Sequence, residues 1–209
     1  MIATAQAFYK ALAANNTRDW WEDNRGTYDK ALKPAALALL AEMTAPLAEI
    51  AGEPVKGKLF RPHRDVRFSK DKMPYNTHLH MMWTMQVDVA DAPVFFFGIN
   101  LDSVTVGAGR WAFEKPVLET WRKFVDLDTK RVMGIIEGVQ AHGYGLREPA
   151  LKRVPSGFAS DHPAADLLRM KGCVATKDIG APQDIGAALR VAFKQAAPLN
   201  ALLLQIAEA

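Results

Sequence analysis

Cysteine is almost missing from this sequence. Cys173 is the only one in 209 residues, so a disulfide framework is excluded. No uninterrupted apolar run approaches the roughly 18 residues of a membrane-spanning helix, and we expect no contact with a membrane. Residues 1–6 show neither a basic leader nor a long apolar stretch, so we expect no signal peptide and a cytoplasmic location. Internal repeats, low-complexity tracts and long linkers are also missing, which predicts a single domain over residues 1–209.

Disorder is excluded as well, because the chain is rich in residues that form a core. It is 49% hydrophobic and contains 10 Phe, 5 Trp and 4 Tyr. Charged residues make up 23% of the chain and leave a net charge of only +3. A surplus this small is not typical of a nucleic-acid-binding protein.

The spacing of apolar residues predicts an α+β fold. Residues 78–89 alternate between apolar and polar positions, as in a strand that is buried on one side. Apolar runs at 94–101 and 104–106 follow after short connections, which require antiparallel neighbours. We therefore predict a central antiparallel sheet, a meander, with helices of the N-terminus and of the C-terminal half packed against it. The segment 56–68 is expected to add one or two strands, and a brief strand is expected at 173–176.

Capping residues and prolines predict where the helices begin and end. Thr4 and Thr17 are the predicted N-caps of the first two helices, and Asp161 is the predicted cap of a short helix later in the chain. Pro46 is expected to kink or divide the third helical stretch, and Pro198 to interrupt the last one.

The strongest functional signal is a concentration of positive charge. Residues 56–75 contain seven basic and two acidic side chains, a surplus larger than the net charge of the whole chain. Guanidinium groups bind carboxylate or phosphate through paired hydrogen bonds, and lysines add point charges. Asp65 and Asp71 are each expected to hold one neighbouring base, which leaves the remaining cations for a ligand. The predicted anion-binding residues of this segment are Arg61, Arg64, Arg67, Lys70 and Lys72.

Two conditions must hold for these cations to form one site. An extended chain places Arg61 and Arg67 on opposite faces, so a bend near Pro62 and His63 is needed to bring the arginines together. A second basic cluster, at residues 147–171, must also lie close to the first. Its predicted anion-binding residues are Lys152 and Arg153, which precede a Pro-Ser-Gly turn.

Two other interpretations use the same basic segment. Its arginines form a purely structural ion-pair network if they face the acidic N-terminal helices, which carry Asp19, Glu22, Asp23 and Asp29. The segment forms a groove for single-stranded nucleic acid if Phe60, Phe68 and Tyr75 stack on bases between the basic side chains.

Three histidines require a choice between metal binding and other roles. His78 and His80 share one face of a predicted strand, and His63 lies in the basic segment. Cationic surroundings disfavour a divalent ion, and no HExxH or CxxC motif accompanies them, so we predict no metal site. If the protein is an enzyme, the candidate proton carriers are His78, His63 and Asp65.

The remaining motifs favour structural roles. Asp161 and His162 are expected to form a capping pair rather than a catalytic one. The glycines at 107–109 lack the GxGxxG pattern and are expected at a bulge or hairpin exit. Trp20 and Trp21 are expected in the core, with the wall of a pocket as the alternative.

Several strings together resemble a known family. The N-terminal string runs Asn15-Asn16…Trp20-Trp21…Asn24-Arg25…Tyr28, and the most specific string is Arg-Asp-Val-Arg-Phe-Ser-Lys-Asp-Lys-Met-Pro-Tyr at 64–75. Over residues 8–171 the chain resembles an uncharacterised family of bacterial and fungal proteins, domain of unknown function 2461. The resemblance implies a single-domain α+β protein and no established activity, substrate or cofactor. One departure is Asn76, where the family pattern leads us to expect lysine. The family's motif residues correspond here to Arg61, Arg64, Asp65, Arg67, Lys70, Asp71, Lys72 and Tyr75.

The sequence thus predicts a protein that binds an anionic small molecule, phosphate-bearing or carboxylate, at its arginine- and lysine-rich site. It leaves open whether a reaction follows binding, and it identifies no cofactor and no oligomeric state. The alternatives are a nucleic-acid-binding module and a structural or partner-binding protein.

Overall fold

The helices are interleaved with the strands along the chain. A computed structural model describes all 209 residues. The helices are α1 (Ile2–Ala14), α2 (Arg18–Thr27), a π turn (Tyr28–Leu32), α3 (Lys33–Ala51), α4 (Lys115–Leu127), α5 (Thr129–Gln140), α6 (Ala165–Leu168) and α7 (Ile185–Glu208). The strands are β1 (Val55–Leu59), β2 (Leu79–Met85), β3 (Val94–Ile99), β4 (Val104–Arg110), β5 (Gly145–Leu146) and β6 (Cys173–Asp178).

All six strands form one antiparallel sheet in the order β1-β2-β3-β4-β6-β5. The first four strands are neighbours in chain order, which confirms the predicted meander and the α+β class. The predicted strand near Cys173 is also present, as β6, and it lies between β4 and the short edge strand β5. The basic segment contributes only β1, which ends at Leu59, rather than two strands.

The helices pack on one face of the sheet and leave the other face uncovered. Along β2 every second residue, from Leu79 to Met85, is buried under α3 and α7, while the residues between them are only half-buried. The buried Trp83 donates its indole N–H to the carbonyl of Leu40 in α3 (3.1 Å), and Asn200 of α7 donates to the carbonyl of Val94 (3.0 Å). These bonds fasten both long helices to the same side of the sheet.

From Arg18 to Ala51 the chain is continuously helical, and proline explains its irregular turn. Pro34 has no N–H to donate to the carbonyl four residues earlier. Just before it the helix widens, so that the N–H of Lys33 bonds to the carbonyl of Tyr28, five residues back. Pro46 lies inside α3 without dividing it, and Pro198 lies inside an uninterrupted α7, so the expected break at Pro198 is wrong.

Two of the predicted helix caps are also wrong. Thr17 does cap α2, since its side chain accepts the N–H of Trp20. Thr4, however, lies within α1, which already begins at Ile2. Asp161 lies well before α6, and the local hydrogen bond comes from His162, whose Nδ1 accepts the N–H of Ala164 (3.0 Å).

The helix from Arg18 to Ala51 is also long and apolar enough to cross a membrane, with a mean hydropathy of 1.3 over its most apolar 18 residues. The expectation of no spanning stretch rested on uninterrupted apolar runs, whereas this window includes charged residues. A core helix of a soluble protein, which is mostly buried, and a signal sequence meet the same two requirements. In this structure 22% of the window is buried, at Ala36, Leu39, Met43 and Leu47 of α3.

We predict that Trp83→Phe lowers the free energy of unfolding by about 2–4 kcal/mol. The change removes the bond to Leu40 and opens a cavity in the packed core. Trp111→Phe is the matched control, because the Trp111 side chain is 66% exposed and its loss is expected to cost less than about 1 kcal/mol. Urea denaturation followed by circular dichroism measures both values, and equal losses would contradict this account of how the sheet is attached to α3.

Candidate functional site

The basic segment forms an irregular loop between β1 and β2. We call residues 60–75 the basic loop. Its two ends are held together, since the N–H of Arg64 bonds to the carbonyl of Pro74 (2.8 Å) and the N–H of Asn76 bonds to the carbonyl of Pro62 (2.7 Å). A single β-bridge between His63 and Tyr75 lies between these bonds. The loop is therefore a closed structure of its own rather than a pair of extended strands.

The basic loop balances part of its positive charge internally, since two of its five cations pair with its two aspartates. Arg64 pairs with Asp71 at 2.7 Å, and Arg67 pairs with Asp65 at 2.6 Å. Lys72 donates to loop carbonyls, at 3.0 Å to the nearer one. Three of the five predicted anion-binding residues of this segment are thus engaged by the loop itself, two by the aspartates, as expected, and Lys72 by backbone carbonyls.

These pairs bear on the catalytic candidates. Hydrogen bonds from Arg67 hold the pKa of Asp65 below its usual value, so this carboxylate stays ionised and is a weak base. Asp65 consequently does not suit the role of proton carrier.

The predicted ion-pair network between the basic segment and the N-terminal helices is not present. Glu22 and Asp29 pair instead with Arg25 of their own helix, at 3.3 and 3.0 Å. Neither Asp19 nor Asp23 forms an ion pair. The acidic helix residues therefore do not neutralise the loop.

Aromatic stacking, rather than charge, attaches the basic loop to the helices. The rings of Trp21 and Tyr75 are stacked, with centroids 4.6 Å apart and planes within 15°. The imidazole of His63 lies edge-on to both rings. Asn16 adds two hydrogen bonds to the backbone of Tyr75, donating to its carbonyl (2.9 Å) and accepting its N–H (3.2 Å).

A cavity of about 460 Å³ lies where the basic loop meets the helices. We call it the cationic cleft. Its aromatic wall includes Trp21, Tyr28 and Phe60, so Trp21 is both a core residue, as expected, and part of a pocket wall. The charged and titratable side chains that line it are Arg25, Asp29, Lys33, Arg61 and His63.

The cleft carries more positive than negative charge. Its one carboxylate, Asp29, is already bonded to Arg25 at 3.0 Å. Lys33 and Arg61 have no carboxylate within ion-pair distance. Two cations therefore face this cavity without an internal partner.

The π turn arranges the helix side of the cleft. Trp21, Arg25, Asp29, Lys33 and Leu37 are spaced four residues apart and all line the cavity. In a regular α-helix, residues four apart lie at progressively different angles around the helix axis. The wider π turn counteracts this rotation. Lys33 was not predicted from the sequence as a site residue, although its place in this series of every fourth residue is a signal that could have revealed it.

The predicted cations do not converge on one point. Only Arg61 reaches the cleft, while Arg64 and Arg67 remain in the loop and Lys70 is exposed without an ion-pair partner. The second cluster, with Lys152 and Arg153, follows β5 at the opposite edge of the sheet from β1. The sequence left open whether the two clusters meet, and the strand order puts them at opposite edges of the sheet, five strand spacings or about 24 Å apart.

The other predicted residues lie apart from the cleft. His78 and His80 lie on the helix-free face of the sheet, and His80 stacks on Phe60 with ring centroids 4.6 Å apart. Tyr75 is only 4% exposed, so it is not free to stack on a nucleic-acid base as the alternative interpretation requires. No group of three or more His, Cys, Asp or Glu side chains is arranged to hold a metal ion.

The architecture is that of an α+β protein whose N-terminal helices and basic loop enclose a cationic cleft. A model of the family described as conserved hypothetical protein (DUF2461) matches residues 4–201. The chain therefore belongs to this family, which confirms the resemblance and extends it beyond residues 8–171. A comparison with curated proteins finds no match.

We predict that Asn16→Ala loosens the basic loop. Loss of its two hydrogen bonds to Tyr75 is expected to lower the local stability of the loop by about 1–2 kcal/mol, and to speed tryptic cleavage at its arginines and lysines about fivefold or more. Asn15→Ala is the matched control, since the side chain of Asn15 is exposed and makes no hydrogen bond. Cleavage rates that do not differ between the two variants would show that Asn16 does not hold the loop.

Proposed function

We propose that this protein binds a small anionic molecule in the cationic cleft. The observation that carries the proposal is that Arg61 and Lys33 face one ring-walled cavity and lack a carboxylate partner. Two unpaired cations that line the same cavity repel each other, and a bound anion relieves that repulsion. The cavity volume of about 460 Å³ lies in the range that small-molecule sites occupy.

The chemistry of the two cations indicates the class of ligand. The guanidinium of Arg61 offers a planar fork that matches a phosphate or carboxylate, and the ammonium of Lys33 adds a mobile point charge. Because Arg25 is bonded to both Asp29 and Glu22, Lys33 and Arg61 are the two cations that remain without a carboxylate partner for the ligand. A phosphate ester or a dicarboxylate attached to a body that packs on Phe60, the half-buried ring of the cleft, satisfies both features.

This proposal covers binding only. One residue of the cleft becomes relevant if the bound ligand also reacts. Of the three candidate proton carriers, only His63 lines the cleft. If the ligand is chemically transformed there, His63 is the side chain placed to transfer a proton.

We predict that a fitting anion stabilises the protein. At about 100 times its Kd a ligand adds roughly 2.7 kcal/mol, or about 5–11 °C in Tm for a domain of this size. The panel comprises phosphate, pyrophosphate, sugar phosphates, nucleotides, dicarboxylates and short oligonucleotides, all at constant ionic strength. A flat response across the panel would overturn the proposal, and stabilisation by oligonucleotides alone, with steep salt dependence, would favour nucleic-acid binding instead.

We predict further that Arg61→Gln weakens binding of the best anion about 10- to 100-fold, since a charge-assisted hydrogen bond is worth about 1.5–3 kcal/mol. Arg67→Gln is the matched control, because Arg67 is an exposed arginine of the same loop that pairs with Asp65 outside the cleft. Isothermal titration calorimetry measures both affinities. Equal effects of the two changes would mean that the anion binds the loop as a whole, and not the cleft.

A further inference from the structure

The helix-free face of the sheet is concave and forms a cavity larger than the cationic cleft. We call it the open-face trough, and its volume is about 590 Å³. His78 and His80 line one end, Met82 and Phe96 line the middle, and Trp111 lines the other end. No carboxylate belongs to its lining. The trough therefore combines an apolar floor with a polar end.

Glycines in adjacent strands create the concavity. At Gly107 the ring of Phe96 lies so close that a Cβ atom would come within 2.2 Å of it, so the aromatic ring lies flat against the sheet. At Gly98 an added Cβ would meet only the carbonyl of Leu79, at an ordinary contact distance of 3.5 Å. The space above Gly98 is thus open for a ligand, or for an introduced side chain.

The polar end of the trough consists of two imidazoles that have no hydrogen-bond or ion-pair partner in the protein. Neither the His78 nor the His80 side chain forms a hydrogen bond or an ion pair with another residue, and both are half-buried. Burial lowers the pKa of both groups, that of His80 to about 4, so both are neutral near pH 7. A neutral imidazole offers one N–H donor and one acceptor, and these groups face a cavity rather than bulk water.

Cations border the trough at its rim. In β1, Lys56 lies opposite Thr84 and Lys58 lies opposite Met82. Both lysines therefore project from the helix-free face, as Met82 does, and neither has a carboxylate partner. Lys58 lies 4.7 Å from the ring of Phe60, which in turn stacks on His80. Lys58 thus brings one positive charge close to the histidine end, and this charge complements an acidic ligand group.

We propose that the open-face trough binds a small carboxylic acid with an apolar body, aromatic or aliphatic. The body lies on Phe96 and Met82, and the carboxylate accepts hydrogen bonds from His78 and His80 with Lys58 nearby. This site is separate from the cationic cleft, because it lies on the helix-free face and combines two neutral imidazoles and a rim lysine with an apolar floor. It stands whether or not the cleft binds an anion.

The first test is an NMR titration of the five histidine ring signals with 1-naphthoate at pH 7. We expect saturable shifts at His78 and His80, none at His142 and His162, and a rise in the pKa of His80 in the complex. The uncharged 1-naphthalenemethanol is expected to bind at least tenfold more weakly. Absence of saturable shifts at His78 and His80, with 1-naphthoate and with decanoate, would overturn the proposal.

Two variants separate a true site from a merely exposed surface. Gly98→Leu fills the trough and is expected to weaken naphthoate binding at least tenfold while Tm stays the same or rises. Gly145→Leu is its control, since an added Cβ there meets nothing within 4 Å and Gly145 does not line the trough. Equal binding by both variants would contradict the site.

Lys58→Gln provides an independent check that does not depend on Gly98→Leu folding. It is expected to weaken 1-naphthoate several-fold and to leave 1-naphthalenemethanol unchanged. Analytical ultracentrifugation tests the competing occupant, a second copy of this chain. A dimer that Gly98→Leu dissociates would overturn the proposal and show that the trough is an interface between copies.

Discussion

The stacked contact between Trp21 and Tyr75 is the interaction on which the candidate site depends. The basic loop is irregular and has no sheet partner along most of its length, so its position relative to the helices is set by that ring pair, by His63 and by Asn16. Stacked aromatic pairs contribute about 0.5–1.5 kcal/mol beyond the area that they bury. Without this attachment the loop and the helices would share no wall, and the cationic cleft between them would not exist.

The surplus charge of residues 56–75 is divided among three surfaces. Strand alternation directs Lys56 and Lys58 to the helix-free face, and the loop balances Arg64 and Arg67 with its own aspartates. Arg61 faces the cleft. A basic stretch that is continuous in sequence thus becomes a rim beside the open-face trough, a loop in which two arginines pair with aspartates, and one cation that lines the cleft together with Lys33. This division explains why two separate cavities, one bordered by cations and one largely apolar, lie near β1.

The sheet and most helices were predictable because alternation and helical spacing reflect burial directly. The effect of the prolines on the helices was predicted less accurately, because Pro46 and Pro198 are accommodated inside helices that tertiary packing holds together. The cleft was predictable only in part. Arg61 follows from the charge pattern, but the contribution of Lys33 depends on the π turn, and the separation of Lys152 from the basic loop depends on strand order, which local sequence does not encode. The trough was not predictable from the sequence. Glycines at 98, 107 and 109 indicate positions without side chains, but they do not show which residues surround the cavity that results.

The central claim, that the cationic cleft binds an anion, is tested most directly by locating a bound anion in crystals of the protein. Crystals soaked in selenate, whose charge and shape resemble those of phosphate, would show the bound selenium by its anomalous scattering. The account predicts an ordered selenium site in the cationic cleft, within hydrogen-bonding distance of Arg61 and Lys33, that is lost in Arg61→Gln. Selenate bound only at exposed lysines, at Lys152 and Arg153, or nowhere would contradict it.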